Sequence, residues 1–237
     1  MKNPDGPYPG RQLFIGLTPA QEVCFAYLVT GRSPQTRERK AIQVENTISI
    51  GPLGEALYDP LRHYSAIKYD DKTGVLAASN GIQTESVYEI YRLLVNVASS
   101  PEQDYLVKIL DGANAEPDSY HTPRIAGVII PGSNGVAVQA WLGIKIAGRP
   151  AIVHRVKAKA GTLSGIATYA GDLAKPQARE ANSPLSTIEY GGGTATELAE
   201  YIFTISEAIY ENNDIRVSAV GGLFHEGKWH LGIKNAR

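Results

Sequence analysis

The chain has 237 residues, 43% of them hydrophobic, enough to bury a sizeable core, which excludes disorder throughout. Its 23 lysines and arginines nearly balance 24 aspartates and glutamates, so no broad field marks a general nucleic-acid or membrane-surface binder, and any anionic partner must be met locally. The lone cysteine, Cys24, rules out an intramolecular disulfide; with no signal-like apolar core and no stretch long enough to span a bilayer, the expected compartment is the cytoplasm.

Residues 1–10 are polar and rich in Pro and Gly, which predicts a flexible N-terminal segment. Residues 12–30 hold two apolar runs parted by Thr18-Pro19-Ala20-Gln21, the pattern of a hairpin. The basic stretch 31–40 contains Pro34, which disfavours helix, so a loop is expected. Alternation over 41–50 and 63–69 predicts strands, and a further short run, 75–79, ends at Asn80-Gly81. In 84–97, Val87, Ile90, Tyr91, Leu94 and Val97 recur at spacings of three and four, an amphipathic helix with Glu85 suited to the dipole at its start. A second helix is expected at 103–110, then a polar loop to 123, then a strand pair, 124–130 and 136–146, around a turn at 131–135. Strands at 152–156 and 163–169 lead into a Pro-, Asn- and Gly-rich stretch, 172–193, that predicts a long surface loop. A helix over 196–210, with Leu198, Ile202, Ile205 and Ile209 on one face, and a hairpin over 215–233 close the chain.

This order of strands, two helices, strands, one helix and strands describes an α+β fold: antiparallel sheet, more than one by length, with helices packed outside. No composition break divides it, so a single domain over 1–237 is expected.

Several motifs read as structure. His225 and His230 in His-Glu-Gly-Lys-Trp-His lie five apart around a glycine, a spacing that suits a hairpin turn rather than a helical zinc motif, and no metal is expected. Gly191, Gly192 and Gly193 precede a helix but lack the lysine and strand of a phosphate loop. Cys24 sits mid-strand as a core residue, and no serine elbow or triad spacing occurs. Three polar clusters remain, each beside a predicted strand end: the loop from Arg32 to Arg39, Tyr64 with the Asn80-Gly81 turn and Thr84, and the loop from Glu116 to Arg124. Taken singly, each reads equally well as a solvated loop.

Their combination is more specific. Phe25-Ala26-Tyr27 through Gly31-Arg32-Ser33-Pro34, then Ser79-Asn80-Gly81 with Thr84-Glu85, then residues 114–125 ending His121-Thr122-Pro123-Arg124-Ile125, resemble the archaeal-type inosine monophosphate (IMP) cyclohydrolase family over roughly residues 11–130. The resemblance implies a four-layer αββα sandwich, two antiparallel sheets between helices, like that of N-terminal-nucleophile hydrolases. It does not imply their chemistry, because the chain starts Met1-Lys2 and its cysteine is internal. The implied reaction interconverts 5-formamido-1-(5-phosphoribosyl)imidazole-4-carboxamide with IMP and water, needing substrate orientation and proton transfer but no cofactor. On this resemblance Arg32 and Arg124, with Ser33 and Arg37, hold phosphate and carbonyl oxygens. Tyr64 is the acid/base or oxyanion donor, Glu116 or Asp118 shuttles the amide proton, and Asn80, Gly81, Thr84 and Thr122 contact the substrate. The partner is then a purine ribonucleotide, with no nucleic acid or membrane, and self-association is left open. The loop Ser33-Pro34-Gln35-Thr36-Arg37 departs from the family's aromatic-before-proline and asparagine-after pattern, so the alternative is a nucleotide-binding or amide-hydrolysing relative on the same scaffold.

Overall fold

Strand-favouring Val, Phe, Tyr and Leu dominate the first hairpin, and it forms as the spacing predicts: β1 (Arg11–Leu17) and β2 (Val23–Thr30) pair antiparallel, with every residue buried. The structure is a computed structural model describing residues 2–55, 57–97, 102–132 and 138–237.

The basic stretch departs from the expected loop by folding one helical turn, α1 (Pro34–Arg37). Pro34 occupies the first turn, where a missing N–H is harmless, while Ser33 and Thr36 close a capping box. The alternating run at 41–50 is not one strand but the hairpin of β3 (Arg39–Val44) and β4 (Thr47–Pro52). Its two-residue turn, with Glu45 at φ 48°, is too short to interrupt the alternation.

Next come β5 (Tyr64–Tyr69), β6 (Leu76–Ser79), α2 (Gln83–Val97), α3 (Gln103–Ala113), β7 (Arg124–Pro131), β8 (Val138–Lys145), β9 (Ile152–Arg155) and β10 (Thr162–Ala167), in the expected order. Residues 133–135 of the predicted turn and 136–137 of the strand predicted after it lie outside the described residues. The stretch 172–193 is not loop throughout: β11 (Tyr169–Ala170) pairs with β12 (Gln177–Ala178), and β13 (Ser186–Glu189) adds an edge strand beside β10. Only Ile188 of β13 is buried, too little apolar signal for a pattern. Helix α4 (Ala195–Ile205) stops short of 210, because the chain turns back through β14 (Ile209–Tyr210) and β15 (Asn213–Asp214) with Glu211 and Asn212 at positive φ, leaving Ile209 exposed. The hairpin of β16 (Arg216–His225) and β17 (Lys228–Asn235) closes the fold.

The fold is α+β, as expected. One sheet has six strands in the order β13-β10-β1-β2-β16-β17; the other runs β3 to β9 in chain order, each pairing antiparallel. Strand period two sorts neighbouring side chains into different cores. Leu13, Ile15, Phe25 and Tyr27 share a cluster with Ile48, Ile67, Ile129 and Leu142 of the other sheet. Phe14, Cys24 and Leu28 pack with Leu198 and Ile202 of α4. Ala77, Val128 and Trp141 pack with Val87, Tyr91, Leu106 and Leu110 of α2 and α3. Full burial of each large apolar side chain contributes about 1.5–3 kcal/mol. Among the described residues no helix is long and apolar enough to cross a membrane.

The N-terminal segment, expected to be flexible, is tied to the sheet edge. Buried Asp5 pairs with Arg179 and accepts hydrogen bonds from Gln12 and from Ser186 (2.9 Å), and Tyr8 stacks on Tyr169 at 5.7 Å between centroids.

Candidate active site

Because β6 and β7 pair antiparallel with Ser79 opposite Ala126, the turn after β6 lies beside the start of β7, and the loop before β7 folds over both. Asn80 uses all four of its hydrogen-bonding positions. Its Oδ1 accepts from Ile125 N (2.8 Å) and Gln83 Nε2 (3.1 Å), and its Nδ2 donates to Pro123 O (2.9 Å) and Glu116 Oε1 (2.8 Å). Glu116 is thereby held in the interior, where Oε1 also accepts from Arg11 and lies 3.5 Å from Arg124 Nη1. Gly81 allows the approach: a Cβ there would stand 2.0 Å from Arg124 Nη1.

Positive charge exceeds negative at this point. Arg11, Arg39 and Arg124 are all buried, and Glu116 is the carboxylate in contact with two of them. Arg39 donates to the carbonyls of Thr36 (2.8 Å), Thr30 and Arg62 (both 3.3 Å). Burial pulls Arg39 and Arg124 below the ordinary arginine value, and the nearby Arg11 charge pulls both further. Arg11 is itself held above that value: burial is the largest influence and works against its charge, but Glu116 together with Tyr64, Tyr27 and Tyr169 outweighs it. Among the described residues the Nε atoms of Arg11 and Arg124 are buried without a hydrogen-bond partner, a costly condition.

Phenols surround the cluster. The Tyr27 and Tyr64 hydroxyls meet at 2.8 Å. Tyr169, pushed up to about 12 by burial, meets Thr122 Oγ1 at 2.6 Å, and Asp118 accepts from Thr122 N (2.8 Å) and Oγ1 (2.5 Å). Arg32 lies over the rings of Tyr8 (5.1 Å) and Tyr120 (5.7 Å) and donates to Leu173 O at 2.8 Å.

Of the residues expected at the site, Tyr64, Asn80, Gly81, Glu116 and Arg124 come together directly. Thr122 and Asp118 join through Tyr169, and Arg32 through Tyr8, which stacks on Tyr169. Three others are engaged elsewhere. Ser33 is spent in the α1 capping box, Arg37 donates to the Arg32 carbonyl, and the Thr84 hydroxyl bonds Ser79 Oγ (2.5 Å) and Gly81 O (3.0 Å) at the start of α2. Sequence reasoning gave no role to Arg11, Tyr27, Arg39 and Tyr169, of which Arg11 and Tyr27 lie in strands buried from end to end and Arg39 heads the half-buried β3. A charged residue heading a continuous apolar run, as Arg11 does, was the available signal. The histidine motif forms the tight β16–β17 turn with Gly227 at φ 78°, and the Gly193 and Thr194 amides are both taken by Glu197 Oε2 at 3.1 Å.

A cavity of about 210 Å³ shares Tyr64 and Gly81 with this cluster and is otherwise lined by residues such as His63, Ser65, Ile82 and Glu85. Buried guanidiniums, a carboxylate and phenols gathered beside such a cavity in an α+β protein are the parts of an enzyme site for a small anionic compound. The model of the IMP cyclohydrolase-like protein family matches residues 8–228, and the chain belongs to that family. The match runs well past the 11–130 region that carries the resemblance in the sequence. The chain is similar to IMP cyclohydrolase of Methanocaldococcus jannaschii, 28% identical over 225 residues that cover 90% of this chain and 99% of the relative. It is also similar to IMP cyclohydrolase of Thermococcus kodakarensis (28% identical; 94% and 96% covered) and of Methanococcus maripaludis (26% identical; 93% and 96% covered).

Proposed function

We propose that this chain is an IMP cyclohydrolase of purine biosynthesis, interconverting the formamido-imidazole-carboxamide ribonucleotide with IMP and water. The observation that carries the reading is the convergence of Arg11 and Arg124 on Glu116 with Tyr64 close by, in a chain matched to the family along almost its whole length.

The reaction asks for little covalent work. The carboxamide nitrogen attacks the neighbouring formyl carbon and loses one proton, the formamido nitrogen loses its proton as the C=N bond forms, and the former formyl oxygen takes up both and leaves as water. Both partners already sit on one ring, so the enzyme holds the reactive rotamer and moves protons, the latter contributing about 10²- to 10⁴-fold. Tyr64 donates to the formyl oxygen. Glu116 takes the amide proton in preference to Asp118, whose two oxygens are engaged by Thr122; the hydrogen bonds to Glu116 fall on Oε1, leaving Oε2 for this task. Arg11, Arg32 and Arg124 hold the phosphate and carbonyl oxygens, since guanidinium forks match both. Asn80 and Gly81 position Glu116 and Arg124, and Thr122 orients Asp118 and Tyr169.

On the same reading the chain is one domain over 1–237, with the two sheets stacked between α4 and the α2–α3 pair in a four-layer αββα sandwich of N-terminal-nucleophile-hydrolase-like form. The three separate apolar clusters support that layering. The test is direct: purified protein is mixed with the formamido nucleotide while absorbance reports IMP. The expected outcome is turnover that falls at least about a hundred-fold in Glu116→Gln and Tyr64→Phe. A rate equal to buffer rejects the activity in favour of a binding or amide-hydrolysing relative.

A further inference from the structure

The Tyr27 and Tyr64 hydroxyls lie 2.8 Å apart, one phenol on β2 of the six-stranded sheet and the other on β5 of the seven-stranded sheet. The distance does not say which donates, but the surroundings do, because Tyr27 is sealed from solvent while Tyr64 lines a cavity. Each phenol has a single proton to give. Tyr27 is fully buried, and among the described residues its hydroxyl has Tyr64 as its hydrogen-bond partner. The charged groups that face it, Arg11 and Arg39, are donors without acceptor capacity. Were Tyr64 to donate to Tyr27, the Tyr27 O–H would be buried with no acceptor at all, which costs more than the bond returns. Tyr27 therefore donates, and the Tyr64 proton turns away from it, toward the cavity that Tyr64 lines with Gly81 and His63. Burial also drives the Tyr27 phenol well above the ordinary tyrosine value, so it remains a donor.

We propose that Tyr27 is a positioning residue for ring closure, a second tyrosine that accepts no proton from Tyr64 and so aims the Tyr64 O–H at the substrate. The role rests on the cyclohydrolase reading. It adds a group that touches no substrate itself, held by the opposite sheet, so that stacking of the sheets sets the direction of the acid.

Two measurements test it, one without substrate. In thermal unfolding of the ligand-free protein, Tyr64→Phe strands a buried donor and lowers Tm by roughly 3–6 °C. Tyr27→Phe lowers it by less than half as much, and the double variant regains most of the loss, since no orphaned donor remains. In steady-state kinetics, Tyr27→Phe lowers kcat roughly ten-fold with KM unchanged. Added to Tyr64→Phe, the same substitution changes kcat no further, because nothing is left to aim. Equal melting losses in the two single variants overturn the donor direction. Wild-type kcat in Tyr27→Phe, or losses that multiply in the double variant, overturn the positioning role. A folded wild-type protein with no turnover removes the reaction and the catalytic role together, while the melting data still report the donor direction, so the failures are told apart.

Discussion

Replacing Gly81 with alanine puts a methyl carbon 2.0 Å from Arg124 Nη1, 3.1 Å from its Cζ and 3.1 Å from Gln83 Oε1. Gly81 does not occupy the left-handed region, so the main chain accepts alanine without strain and the conflict falls on the guanidinium. To restore ordinary contact near 3.4 Å, that group must retreat by about 1.4 Å. It then loses its present placement 3.5 Å from Glu116 Oε1. If Arg124 holds the substrate as proposed, a displacement of this order costs about a hundred-fold in kcat/KM, or about 2.7 kcal/mol of transition-state stabilisation. The far end of a flexible side chain moves at smaller expense to the fold, about 1 kcal/mol, so Tm falls by about 2–4 °C. The assay is IMP formation followed by absorbance for Gly81→Ala, Arg124→Ala and the pair. Both substitutions act through one guanidinium, so the double variant matches the worse single variant instead of multiplying the two losses. Wild-type kcat/KM in Gly81→Ala, with the protein folded, refutes the idea that this glycine exists to seat Arg124.

Asp5→Ala leaves Arg179 buried without its carboxylate, and chemical denaturation should report a loss of about 3–5 kcal/mol together with new protease cleavage in residues 3–10; unchanged stability would show that the N-terminal segment is not anchored there. The hydrogen bond from Lys145, with that from the Ala151 amide, holds the Asp111 carboxyl below the usual aspartate value. Its contribution is therefore complete above the unfolded value of about 3.9 and disappears as pH falls through the lower folded value, so Asp111→Asn should flatten the acid limb of a Tm-against-pH curve. Burial pushes the Cys24 thiol up to about 12. A thiol reagent at pH 8 should react only as the protein unfolds, and labelling of the folded chain at the rate of a free thiol contradicts the buried placement.

Much of the fold was legible in local pattern. The first hairpin, α2, α3 and the closing hairpin stand where apolar spacing puts them, because period two and period 3.6 follow from backbone geometry alone. The β3–β4 fold-back was hidden, since a two-residue turn does not break alternation, and β13 was hidden because an edge strand with one buried residue has almost no pattern to show. Pro34 misled for a related reason: its effect on a helix depends on where in the helix it falls.

The site divides along the same line. Tyr64, Asn80, Gly81, Glu116 and Arg124 stood out because polar groups at strand ends and in short motifs are unusual enough to notice. Arg11, Tyr27 and Tyr169 did not, since in the sequence they look like the edges or fillings of core strands, and nothing local separates Arg39 from the solvated arginines of its loop. The sequence alone determined the strand and helix periods, the scarcity of broad charge and the local motifs. Only the tertiary structure decided that Arg11 meets Glu116 across 105 residues and that Tyr27 meets Tyr64 between two sheets. Such partners are selected by the packing of one sheet on the other, and no window of neighbouring residues contains that information.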